Sequence, residues 1–140
     1  MLKSIVPSRI GMHLALPPAA PAIAAAPGEL HQVLVNLVVN SRDALGEHGD
    51  ITIRLAPTSG EHRACTSCLR LVDGDYLALS VTDNGAGIPA ETLGRIFDPF
   101  FTTKDVGEGT GIGLSVVDGI VHRGGGHIFV DSRAGQGTRF

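Results

Sequence analysis

An α/β fold, with helices laid over one face of a mixed or mainly antiparallel sheet in a two-layer sandwich, is what the sequence predicts, and three observations predict it. Residues 28–45 and 114–123 carry apolar side chains at the spacing of a helix face, while residues 10–16, 51–56 and 76–82 alternate as strands do. Nineteen glycines and eight prolines sit largely between these segments, more than a helical bundle tolerates. The chain has 140 residues, 43% of them apolar and 18% charged, which suits one packed domain spanning residues 1–140 and excludes a disordered polyelectrolyte. A net charge of −3 argues against nucleic acid as a partner, because phosphate neutralisation needs surplus Lys and Arg. The low-polarity stretch 14–27 is broken by Pro17, Pro18, Pro21 and Pro27, so neither a membrane span nor direct membrane contact is expected. No signal peptide is visible, and two cysteines are too few for a secreted disulfide scaffold, so a reducing, cytoplasmic setting is expected.

In order along the chain, residues 10–16 read as a strand and residues 22–26 as a second short one. In the helix of residues 28–45, Leu30, Val33, Leu34, Leu37, Val38, Ala44 and Leu45 form the apolar face, and Gln32, Asn36, Asn40 and Asp43 form one polar stripe. Strands follow at 51–56 and 76–82, separated by a loop or extended hairpin that holds Cys65 and Cys68. A short helical piece after Pro89 leads to the aromatic cluster Phe97-Asp98-Pro99-Phe100-Phe101. The glycine-dense loop 107–113 then opens the helix 114–123, which Gly124-Gly125-Gly126 ends. Residues 128–130 read as a strand, and Gly135-Gln136-Gly137 as a turn into a last strand that Phe140 cuts short.

Three segments carry chemistry. Asn36 and Asn40, four apart on one side of a helix, offer uncharged amides suited to hydrated Mg²⁺ and phosphate oxygens, and Asp43 continues their stripe. Asp83 ends an apolar strand, where its carboxylate can accept a hydrogen bond from the exocyclic amine of a purine, with Gly85 and Gly87 giving close backbone access. Residues 85–90 also fit the G-x-G-x-x-A dinucleotide fingerprint, but an aromatic cluster and a second glycine loop stand where a Rossmann unit needs its next parallel strand. Gly107, Gly109, Gly111 and Gly113 run into a helix start, an arrangement whose backbone N–H groups suit a triphosphate. Thr110 adds a hydroxyl donor and Lys104 a nearby cation.

These segments resemble, in order, the four boxes of histidine protein kinases. Leu34-Val35-Asn36-Leu37-Val38-Val39-Asn40 is similar to the N box, Asp83-Asn84-Gly85-Ala86-Gly87 to the G1 box, Phe97-Asp98-Pro99-Phe100-Phe101 to the F box and Gly109-Thr110-Gly111-Ile112-Gly113-Leu114 to the G2 box. The resemblance covers roughly residues 8–140 and implies the ATP-binding catalytic domain of a two-component sensor kinase, in the GHKL ATPase superfamily. It implies ATP and Mg²⁺ as cofactors, with the nucleotide under a flexible lid. By the same resemblance, Asn36 and Asn40 hold magnesium and phosphate, Asp83 accepts from adenine N6, and Gly85 and Gly87 line the adenine. Gly107, Gly109, Thr110, Gly111 and Gly113 meet the phosphates, and Asp43, Ile88, Phe97 and Leu114 complete the contacting set. Asn36 and Lys104 are the candidate catalytic residues.

Hydrolytic members of the superfamily carry Glu where this chain has Asn36, and an amide cannot act as general base, so phosphoryl transfer to a separate nucleophile is implied. None of the six histidines is followed directly by an acidic residue, the family's phosphoacceptor pattern, and His31 reads as a surface residue. The acceptor is therefore expected on a separate dimerising phosphoacceptor domain, with a response regulator further on, and the isolated domain is expected to be monomeric. A degenerate nucleotide-binding scaffold and a serine-directed kinase of the same superfamily are the alternatives. Cys65 and Cys68 have the spacing of half a zinc site, but with no second cysteine pair and only His62 near in sequence they are expected to be two thiols in a variable loop.

Overall fold

The computed structural model describes residues 1–60 and 62–140. A short helix α1 (Leu2–Ile5), which no apolar period announces, precedes strand β1 (Ile10–Ala15) and the long helix α2 (Pro27–Leu45). Strand β2 (Gly49–Ser59) follows, then a hairpin of two-residue strands, β3 (Arg63–Ala64) and β4 (Leu71–Val72), and the long strand β5 (Asp75–Asp83). Helix α3 (Ala90–Leu93) lies after Pro89, helix α4 (Gly113–Arg123) after the glycine loop, and strands β6 (Asp131–Arg133) and β7 (Gly137–Arg139) close the chain.

The main sheet has the order β1-β2-β5-β7-β6. β1 and β2 are parallel, paired from Ile10 with Gly49 to Ala15 with Arg54, so α2 is the crossover between them; the other pairs are antiparallel. α2 packs on β2 and β5 and against α4. Val33, Leu37 and Val38 of α2 meet Ile51 and Ile53 of β2, Val81 of β5 and Val117 of α4 in one core. Leu34 and Leu45 border it, whereas Leu30, expected on the apolar face, is exposed in the first turns of α2.

The ends of α2 are marked by backbone chemistry. Pro27 stands at the first helical position, where its missing N–H costs nothing, with Glu29 in the first turn. Gly46 ends the helix at φ 67°, its N–H donating to the Arg42 carbonyl at 3.1 Å.

Two expected strands are corrected. Residues 22–26 are exposed and lie in no sheet, consistent with prolines at 21 and 27 that deny the segment a continuous ladder. Residues 128–130 are also outside the sheet, because their backbone groups are engaged elsewhere. Ile128 N–H points to Cys65 Sγ at 3.4 Å, Ile128 O accepts from Thr66 N at 2.8 Å, and Val130 N–H donates to Thr66 Oγ1 at 3.0 Å. The strand begins only at Asp131, once that docking ends.

Candidate functional site

The polar stripe of α2, the loop after β5 and the glycine loop before α4 converge on one side of the molecule through named bonds. Asp83, the last residue of β5, is 6% exposed. Its Oδ2 accepts from Ser41 Oγ at 2.8 Å and its Oδ1 from the Gly85 N–H at 3.0 Å, so a carboxylate is held in place at the sheet end without a cationic partner in these contacts. Ser41 lies four residues after Leu37 and eight after Val33, a lone hydroxyl on the buried face of α2. That interruption of the apolar stripe is the signal by which the sequence could have disclosed it.

The loop after Asp83 is clamped from two sides. Ala86 N–H donates to the Ala44 carbonyl at 3.0 Å, and a Cβ on Gly85 would lie 2.7 Å from that same oxygen. Gly87 has φ 70°, and a Cβ there would come within 1.9 Å of the Arg133 carbonyl oxygen. Ile88 N–H donates to Ser132 Oγ at 2.7 Å, and Gly135 N–H to the Ala86 carbonyl at 2.6 Å. The glycines are therefore required by close backbone approach to the end of α2 on one side and to the β6–β7 turn on the other.

Asn36 connects the stripe to α4. Its Nδ2 donates to the Gly113 carbonyl at 3.2 Å and its Oδ1 accepts from Gln32 Nε2 at 3.1 Å. Asn40, one turn on, is half-buried. At the far end of the stripe Asp43 binds Arg42, from Nη2 at 2.7 Å and Nε at 2.9 Å, and pairs with Lys104 Nζ. Burial pushes the Asp43 carboxyl up, but the hydrogen bonds and charges of Lys104 and Arg42 outweigh it and hold the group below its ordinary 3.8.

Loop 102–112 has neither helix nor strand. It is tied to the aromatic cluster by Phe100 N–H donating to the Gly111 carbonyl at 2.9 Å. Gly111 has φ 66°, and a Cβ on it would meet the Phe100 backbone at 2.5 Å. Phe100 itself adopts φ 66° and leaves its ring exposed, whereas Phe97 and Phe101 border the core. Gly107, Gly109 and Thr110 lie along the loop, while Ile88 and Leu114 pack at the edge of the core. An open cleft of about 450 Å³ lies where Arg42, Asp43, Lys104 and Glu108 meet. A second, of about 510 Å³, runs between the first turns of α2 and α4 and takes in Gln32 and Ser115. His31 is exposed, as expected.

The fold is an α/β sandwich in which a helix carrying amides, a buried strand-end carboxylate and a glycine loop are joined by hydrogen bonds on one side of the molecule. Residues 25–140 match the family described as histidine kinase-, DNA gyrase B- and HSP90-like ATPases, and the chain belongs to that family. Among its relatives, the sensor kinase CckA of Brucella abortus is 50% identical over 113 residues, 81% of this chain and 12% of that protein. The catalytic domain of histidine kinase ThkA superposes with a TM-score of 0.70 at 28% identity, over 99% of this chain and 80% of that structure. Full-length ShkA in complex with AMPPNP matches with a TM-score of 0.72 at 28% identity, over 94% of this chain and 24% of that one. The chain thus corresponds to the ATPase domain of sensor histidine kinases and spans a small part of such a full-length protein.

Proposed function

We propose that this chain binds Mg-ATP between α2 and loop 102–113 and presents the γ-phosphate to a histidine on a separate dimerising phosphoacceptor domain, in a two-component system whose response regulator receives the phosphoryl group next. The observation that carries the reading is Asp83: a buried carboxylate held by Ser41 and Gly85, at the start of a loop whose glycines let it pack tightly against the end of α2 and the β6–β7 turn. An amine donor such as adenine N6 satisfies its remaining acceptor capacity, whereas guanine offers a carbonyl at the corresponding edge.

The donor set suits the rest of the nucleotide. Asn36 and Asn40 supply neutral oxygens of the hard type that Mg²⁺ prefers, on one face of α2. Mg²⁺, when bound, neutralises phosphate charge. Asn36 Oδ1 turns from Gln32 Nε2 to the ligand, while its Nδ2 bond to the Gly113 carbonyl ties this face of α2 to the start of α4. Gly109, Thr110, Gly111 and Gly113 donate to phosphate oxygens, Gly107 lets the loop bend over them, and Lys104 leaves Asp43 to balance charge at the transferring group. Ile88, Phe97 and Leu114 shield the base. Since an amide stands at position 36, the chain holds no general base there, and its work is positioning and charge stabilisation rather than water activation.

Isothermal calorimetry tests the reading. Mg-ATP binds with a Kd in the range of about 1 μM to 1 mM typical of enzyme substrates, ADP competes, GTP binds far more weakly, and Asn40→Ala removes the Mg²⁺-dependent part. A folded chain that gives no heat with any of these nucleotides is a scaffold and not a kinase domain.

A further inference from the structure

We propose that Cys65, Cys68, His122 and His127 form a structural zinc site that staples the β3–β4 hairpin to the end of α4. The two thiols belong to the hairpin loop, His122 to the last turn of α4, and His127 to the segment just beyond the glycines that end this helix. Their four ligand atoms all lie within 4.8 Å of one another. Cys65 Sγ is 3.6 Å from His122 Nε2, and Cys68 Sγ is 3.7 Å from His127 Nδ1. Zinc bonds of about 2.3 Å to sulfur and 2.0–2.1 Å to nitrogen, at the tetrahedral angle, put a sulfur and a nitrogen about 3.6 Å apart. Both measured edges have that length already. His62, the histidine nearest to the pair in sequence, faces Asp73 instead at 3.0 Å.

The surroundings prepare the ligands. His122 Nδ1 lies 2.9 Å from both the carbonyl and the carboxylate of Asp118, one turn earlier on α4, which leaves Nε2 free to face the thiols. The Asp118 carboxylate is in turn bound by Ser67 Oγ, from between the two cysteines. A carboxylate behind a ligating imidazole is the arrangement that fixes its ring and raises its basicity. Cys65 is fully buried and the Ile128 N–H points at its sulfur, as suits a thiolate. Two cysteine thiolates and two neutral imidazoles give a neutral complex with Zn²⁺, and this S₂N₂ set selects zinc over Mg²⁺ or Ca²⁺. With four protein ligands no position is left for substrate, so the site is structural. Two strands of two residues each cannot hold a hairpin together in water, and a metal supplies what the pairing lacks.

The test uses the 140-residue chain expressed without a histidine tag in zinc-supplemented medium. Elemental analysis after gel filtration finds a single zinc per chain, and replacement by cobalt gives the intense visible bands of tetrahedral thiolate coordination. Cys68→Ser and His127→Asn, at exposed and half-buried positions, fold and lose both signals, and a strong chelator lowers the melting temperature of the parent but not of these variants. Asp118→Asn, which acts through His122, weakens zinc affinity about 10–100-fold. A folded parent chain without stoichiometric zinc, or zinc and the cobalt bands retained in the Cys68→Ser, His127→Asn double variant, overturns the proposal. Neither result bears on nucleotide binding, which calorimetry reads separately.

Discussion

Single residues at the proposed nucleotide site divide into those the sequence announces and those whose partners only tertiary contact reveals. Asp83 is announced as a carboxylate at the end of an apolar strand before Gly-x-Gly, a position that also suits a turn, as its bond from the Gly85 N–H shows. Asp83→Asn keeps the size and the bond to Ser41 but loses the charged acceptor, which costs about 1.5–3 kcal/mol of Mg-ATP affinity, and calorimetry of the variant checks it. Ser41 is legible only as a hydroxyl interrupting the apolar face of α2, and its partner Asp83 is known only from the fold. Ser41→Ala removes one of the carboxylate's two donors and lowers stability by about 1–3 kcal/mol, measured from urea midpoints. The zinc ligands show the same division: the Cys-x-x-Cys pair is legible, but nothing local says that His122 and His127, more than 50 residues on, come back to it. Asp43 adds a pH dependence. Because Lys104 and Arg42 hold its carboxyl below 3.8 despite burial, its contribution is complete above that pH and is lost as pH falls through the lowered folded value. The stability difference between the parent chain and Asp43→Asn therefore disappears in that acid range, as urea titrations at successive pH values will register.

Among the elements, α2, β2, β5 and α4 are legible because each carries enough apolar residues at one period to declare itself. Pro27 and Gly113 start the two helices one residue earlier than the periodicity places them, and the strands run one to three residues further at each end than their alternating cores. Residues 128–130 show the limit. Ile128-Phe129-Val130 has strand composition, yet its amides serve Cys65 and Thr66 rather than a ladder, and composition cannot say which acceptor an N–H will find. The loop between β5 and α3 depends on its glycines more than on its length. Gly87→Ala sets a methyl against the Arg133 carbonyl at a positive φ, so it destabilises by more than about 1 kcal/mol. It also shifts the β6–β7 turn. Thermal melts report the first effect, and amide chemical shifts of residues 132–138 the second.

At the scale of the whole molecule, none of the six histidines has an acidic residue directly after it. We therefore expect the chain incubated with γ-labelled ATP to bind nucleotide and accumulate no acid-labile phosphate, and a cognate phosphoacceptor hairpin added in trans to become labelled. Label on the chain alone would identify one of its own histidines as acceptor. α2 has a consequence for the time scales of motion. The helix that carries Asn36 and Asn40 also carries Val33, Leu37 and Val38 at the centre of the core, while loop 102–112 opposite it lies largely outside the packing. One wall of the proposed nucleotide site thus opens only when the domain unfolds, and the other opens on its own. Amide hydrogens of residues 36–41 will exchange with deuterium at the global unfolding rate, those of residues 104–112 orders of magnitude faster, and a bound nucleotide will slow the second group far more than its effect on global stability accounts for.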